Sequence, residues 1–191
     1  MIKLKKFYLD ICKTNFEVGN IKLNTFYLGG EYVYLTDSFT MIKISLSLYN
    51  GIVDSINSKN YFSQERAYIK DDFLSRIYNN QKTYNSNGEE RTITITKDAI
   101  DKVYAYSKVT KNYNANINNE IVININYLKS VIDMINEPSI TVKYYTSANP
   151  EDTSISALTI TSDTYSNELE VLILPIRCKM ENVVKTHTIE V

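Results

Sequence analysis

The stretch from residue 119 to 177 limits the possible folds more than any other part of the chain. "NEIVINI" has the apolar run and flanking polar residues of a strand, and Asn126 can cap a helix that follows. In that helix Tyr127, Leu128, Val131, Ile132 and Ile135 recur at helical spacing, and Pro138 ends it because proline disfavours a helical residue before it. Three strand-like runs follow, "SITVKYYTS", "SALTITSD" and "NELEVLILPIR", separated by turn formers that include Asn149-Pro150. One amphipathic helix and three short strands bury their apolar sides only by packing together. The pattern therefore predicts an α+β fold with helices on one face of antiparallel sheets.

The other end of the chain repeats that plan. Leu4, Phe7, Tyr8, Ile11 and Cys12 form an apolar stripe between Lys3 and Lys13, which leaves Lys5, Lys6 and Lys13 on the opposite side. The runs "FEVGNIKLN", "FYLGGEYVYLT" and "FTMIKISLSL" then read as strands, with Gly29-Gly30 as a tight hairpin turn. Residues 1–50 and 116–178 are thus two helix-plus-three-strand units. Between them, residues 51–115 read as helix, hairpin, helix. "KDDFLSRIYNN" begins at a capping Asp71 or Asp72, and "QKTYNSNGEERTITIT" turns at Asn87-Gly88. "TKDAIDKVYAYSKVTK" is capped by Thr96, with Ile100, Val103 and Tyr104 inside and Lys97, Lys102, Lys108 and Lys111 outside. Residues 179–191 form a polar tail.

At 191 residues, with 43% apolar and 23% charged side chains, the chain can bury a real core. It has no apolar run of membrane-spanning length, and "MIKLKKFYLDICK" lacks the form of a signal peptide, so a soluble cytoplasmic protein is expected. Cys12 and Cys178 fit no metal spacing and are expected to be reduced core thiols. The 21 basic and 22 acidic residues cancel to a net charge of −1, which excludes a globally basic nucleic-acid binder but not a local basic face. His187 is the single histidine and falls in the tail, where solvent exposure is expected. Phosphate-binding, dinucleotide-binding and serine-hydrolase motifs are all missing. The acidic pairs Asp71-Asp72, Glu89-Glu90 and Glu151-Asp152 fall at helix starts and turns, where carboxylates cap amides or solvate loops. No enzyme activity, cofactor or metal is expected, and a binding or scaffold role is favoured.

The segment "INYLKSVIDMIN…ITVKYY…SALTITSDTYSNELEVLILPIR" resembles the C-terminal part of the bacterial DNA polymerase III beta subunit, the sliding clamp. That family has an Asn-x-x-Tyr-Leu helix and a closing strand that ends in a Pro-Met-Arg-like motif. Asn124, Tyr127, Leu128, Pro175, Ile176 and Arg177 take the matching places. "NTFYLGGEYVYLTDSFTMIKISL" is similar to the strand pair that leads into the family's Thr-Asp-Gly-His-Arg-Leu, which here is Thr36-Asp37-Ser38-Phe39-Thr40-Met41. Family clamps carry three domains, each of two helix-plus-three-strand units, so the resemblance implies a shortened DNA-clamp-like protein of the kind a phage encodes. It implies a processivity factor that holds double-stranded DNA without reading its sequence, through Lys5, Lys6, Lys13 and Lys129. A hydrophobic pocket formed by Thr36, Met41, Leu174, Pro175, Ile176 and Arg177 would capture a short peptide of a DNA polymerase or other replication protein. Encircling DNA would require a homo-oligomer. The alternative is a clamp-derived interaction module or regulator that never encircles DNA. The strand reading of "LPIR", in which Leu172, Leu174 and Ile176 are simply core residues, also stays open.

Overall fold

The computed structural model describes residues 17–18, 21–22, 26–56, 68–70, 72–84, 87–146, 156–176 and 186–191. The first helix expected from the sequence, with Lys5, Lys6 and Lys13, lies outside these residues, as does Arg177. The described elements run β1 (Glu17–Val18), β2 (Ile21–Lys22), β3 (Phe26–Gly29), β4 (Tyr32–Thr36), β5 (Thr40–Ser45), α1 (Leu46–Ile56), β6 (Tyr68–Lys70), α2 (Phe73–Thr83) and β7 (Glu90–Thr96). They continue with α3 (Lys97–Thr110), β8 (Asn114–Ile117), β9 (Ile121–Asn124), α4 (Ile125–Ile135), β10 (Ser139–Tyr145), β11 (Leu158–Thr161), β12 (Leu169–Ile173) and β13 (His187–Ile189).

An eight-stranded sheet in the order β6-β3-β4-β5-β12-β11-β10-β7 carries the fold. All its neighbours are antiparallel except β3 and β6, so the protein is α+β. A second sheet joins β13, β8 and β9, with β13 parallel to β8. The two sequence halves meet at β5 and β12, where Met41 pairs with Leu172 and Ile42 with Val171.

Strand periodicity divides the large sheet into two faces. Val33, Leu35, Ile42, Ile44, Val142, Leu158, Ile160, Leu169, Val171 and Ile173 belong to the main core with α4 and the small sheet. That burial is the largest favourable contribution to folding, at roughly 25 cal/mol per Å² of apolar surface. The alternate residues Tyr34 and Leu172 face the other way and pack with Leu74 and Tyr78 of α2. Helices therefore cover both faces, which corrects the expectation of helices on one face only. The apolar stripe of α2, Leu74-Ile77-Tyr78, needs a partner, and the second face of β4, β5 and β12 supplies it.

Several local expectations hold. Gly30 turns between β3 and β4 at φ +63°, a backbone state that glycine enters without steric cost. Thr96 Oγ1 accepts the amide of Ala99 at 3.2 Å and starts α3. Helix α4 and the antiparallel β10, β11 and β12 follow the order read from the sequence.

Others are corrected by hydrogen bonding that periodicity does not reveal. The run "SLSL" is the end of β5 and the start of α1, because Ser45 Oγ accepts the amide of Leu48 at 3.2 Å and initiates a helix. Helix α4 is capped two residues earlier than expected, by Asn124, whose Oδ1 accepts the amide of Asn126 at 3.0 Å. Among the described residues no hairpin forms around Asn87-Gly88. Residues up to Thr83 are helical, and β7 pairs with β10 along its whole length. The middle segment is thereby built into the sheet of the C-terminal unit. Lys97, expected outside, is half-buried and ion-paired with Asp133.

Candidate binding pocket

The turn between β4 and β5 places the first wall of the site. Asp37 Oδ1 accepts the amides of Phe39 at 2.9 Å and Thr40 at 2.6 Å, while Thr36 Oγ1 donates to the carbonyl of Thr40 at 3.0 Å. Burial pushes the Asp37 carboxyl up from its ordinary value, and the two amide bonds oppose that shift only in part. Ser38 sits at φ +78°, in the left-handed region that favours glycine. The turn exposes Phe39, which is 54% accessible and stacks on Tyr127 of α4 at 5.7 Å between ring centroids.

Beside this turn lies a cavity of about 260 Å³ lined by Thr36, Ser38, Phe39, Thr40, Met41, Leu172 and Leu174 from the sheet side. Leu74, Ile77 and Gln81 of α2 complete it. Its walls are almost wholly apolar. Thr40 Oγ1, buried in the lining, has no hydrogen-bond partner among the described residues. The shape suits one apolar side chain with a polar contact at its edge.

The structure thus brings together Thr36, Met41 and Leu174 and leaves Pro175 and Ile176 outside the lining. The reason lies in the backbone. Leu174 N donates to Phe39 O at 2.8 Å, which ties it to the pocket turn, whereas Ile176 N donates to Val122 O at 2.7 Å in the small sheet. Pro175, without an amide hydrogen, is the crossing point between the two sheets. Sequence reasoning missed Phe39, Leu172 and the α2 residues as pocket members. The alternation of β12 places Leu172 and Leu174 on one face, but no signal in "KDDFLSRIYNN" says where α2 docks.

A polar node holds α2 in place. The Tyr78 hydroxyl donates to Glu170, and Lys82 Nζ reaches both Glu170 oxygens at 2.9 and 2.7 Å. Burial, reinforced by the neighbouring Glu170 carboxylate, pushes the Tyr78 phenol far above its ordinary range. Tyr78 also meets Tyr34 edge-on at 5.6 Å.

Of the expected DNA contacts, only Lys129 is among the described residues, and it is not a solvent-facing cation. Its side chain is 18% accessible and bonds Asp133 at 2.6 and 2.7 Å and Asp101 at 2.9 Å. Burial alone would lower its pKa; the bonds to Asp133 and Asp101 outweigh that and raise it. An ion already neutralised in this way has little charge to offer a phosphate. Lys129 thus stands in an ion-pair network with Asp101 and Asp133 rather than as a free surface cation.

A second, more open cavity of about 280 Å³ lies between α3 and β13, lined by Ala99, Lys102, Val103, Tyr106, His187, Thr188 and Glu190. His187 is half-buried there, edge-on to Tyr106 at 4.8 Å and 3.1 Å from Thr110 Oγ1, which corrects the expected solvent exposure. Among the described residues no group of His, Cys, Asp and Glu is placed to hold a metal ion. No described helix is long and apolar enough to cross a membrane. The chain matches no protein-family model and no curated protein.

Proposed function

We propose that the chain is a clamp-like accessory protein of DNA replication whose pocket takes the apolar anchor of a short peptide from a polymerase or another replication protein. One observation carries this reading. Thr36, Met41 and Leu174, distant in sequence and singled out by the clamp resemblance, line one apolar cavity between β5, β12 and α2. Such a cavity can supply most of a peptide's affinity through one or two buried anchors.

The ion pairing of Lys129 favours the form of this reading in which the protein works as an interaction module rather than a ring around DNA. A DNA-holding role rests on Lys5, Lys6 and Lys13 alone.

The test is a titration of a fluorescent peptide bearing adjacent Leu and Phe against wild type, Met41→Lys and the double variant Pro175→Ser, Ile176→Ser. Wild type should bind saturably, and Met41→Lys should weaken binding by roughly 1–3 kcal/mol, the value of a lost apolar wall. The double variant should retain affinity and melt at lower temperature, because its residues join the sheets and do not line the cavity. Absence of saturable binding, or unchanged affinity in Met41→Lys, overturns the proposal.

A further inference from the structure

Two asparagines of the chain stand directly before a glycine, Asn50 and Asn87. That dipeptide can react with itself. The asparagine side-chain carbonyl carbon and the amide nitrogen of the next residue can close a five-membered ring, and glycine has no Cβ to crowd that nitrogen. Whether the ring closes then depends on the backbone, and the fold puts the two dipeptides in opposite settings.

Asn50-Gly51 lies inside α1, Leu46–Ile56. In a helix each interior amide donates to the carbonyl four residues earlier, and the fixed dihedrals hold the nitrogen away from the preceding side-chain carbon. Crowding is not what protects this pair, since a Cβ added to Gly51 would meet nothing within 4 Å. Asn87-Gly88 lies between α2, which ends at Thr83, and β7, which begins at Glu90. Neither residue belongs to a helix or strand, and Asn87 is exposed. The β7–β10 pairing starts beyond them, after Thr146 N has donated to Glu89 O at 3.0 Å.

We propose that Asn87 is a site of spontaneous covalent modification, converted in the folded chain to aspartate and isoaspartate through a cyclic imide with Gly88. The Gly88 nitrogen gives its proton to hydroxide and attacks Asn87 Cγ. A C–N bond forms, the Cγ–Nδ2 bond breaks, and ammonia leaves. Water then opens the ring at either carbonyl. Breaking the new bond to Cγ leaves aspartate; breaking the bond to the main-chain carbonyl carbon leaves isoaspartate, with the chain routed through Cβ and Cγ. The balance is one water in and one ammonia out, with no oxidant or reductant. Either product adds a carboxylate beside the exposed Glu89 and Glu90, and so one negative charge to a chain whose net charge is −1. Both atoms that react lie before the β7 pairing, so the sheet survives and the modified protein accumulates folded. The site stands independently of the peptide reading.

Incubating the full chain, folded, at mildly alkaline pH in water enriched in oxygen-18 labels each carboxylate formed there and none formed during later digestion. Mass spectrometry of tryptic peptide 83–91 should show the heavy oxygen at residue 87, in two chromatographically distinct products, while residue 50 in peptide 44–59 stays unlabelled. In concentrated urea Asn50 should convert about as fast as Asn87, because the helix that protected it is gone. Gly88→Val, whose branched side chain crowds the nitrogen, should slow conversion at residue 87 by more than about tenfold, folded or in urea. Equal labelling of Asn50 and Asn87 in the folded chain, an Asn87 that converts only in urea, or an unchanged rate for Gly88→Val in urea would each overturn the proposal.

Discussion

The two faces of the eight-stranded sheet are made by alternate residues of the same strands, yet they differ in kind. Toward α4 and the small sheet, Ile42, Ile44, Val142, Ile160 and Val171 have no accessible surface. Toward α2 the neighbours of these residues include Lys43, Glu170 and several tyrosines, and Lys43 Nζ lies 4.1 Å over the Tyr32 ring. The first face is sealed and aliphatic. The second is only partly covered, and its uncovered corner is the pocket. Core packing and cavity lining are therefore divided between odd and even positions of each strand, and a substitution one residue along changes which of the two it affects.

The largest effect that can test this division is in the sealed core. Leu128→Ala removes a fully buried side chain of α4 and should lower unfolding free energy by about 2–5 kcal/mol in urea titration. Peptide affinity per folded molecule should stay the same; a parallel loss of both would break the distinction. A smaller cost is expected on the second face. Tyr78→Phe deletes the hydroxyl bonded to Glu170 and should cost about 1.5 kcal/mol, the worth of a hydrogen bond to a charged group. If its cost matched that of Leu128→Ala, α2 would be as integral to the core as α4.

The smallest effect concerns the ion-pair network that ties α3 to α4. Burial alone would raise the Asp133 pKa, but the bonds from Lys129 and Lys97 outweigh it and hold the carboxyl below its usual range. Its contribution is complete above the unfolded carboxylate value of about 3.9 and is lost as pH falls through the lower folded value. Wild type should exceed Asp133→Asn by up to about 1 kcal/mol at neutral pH, given the partial exposure of these groups. The two melting curves should converge in acid. A constant difference across that range would remove the network from the account of how the sealed face is held.

Much of the C-terminal unit is legible in the sequence, because α4 and β10 to β12 have strong periodicity and α4 has a clear stop at Pro138. Legibility fails where a short polar contact decides. Ser45 turns an alternating run into a helix, and Asn124 takes the cap from Asn126. It fails again where long-range pairing outweighs local turn chemistry, as when β7 chooses β10 over a hairpin at Asn87-Gly88. The pocket was half legible. Thr36, Met41 and Leu174 could be named through the resemblance, but Leu74, Ile77 and Gln81 come from a helix whose docking face no sequence pattern specifies.

The residues around Pro175 have a further consequence for selectivity. Leu174 is fixed to the pocket turn by one backbone bond, and two residues later Ile176 is fixed to the other sheet. With a proline between these anchors, the sheet-side wall has almost no freedom to yield to a guest. Among the described residues, the α2 wall is held through the side chains of Leu74, Tyr78 and Lys82. A pocket with one fixed wall and one adjustable wall discriminates sharply by what meets the fixed side and tolerates variety on the other. On the proposed peptide-binding reading, the breadth of peptides accepted is set by α2, and grafting different residues at Ile77 and Gln81 is the direct way to retune it.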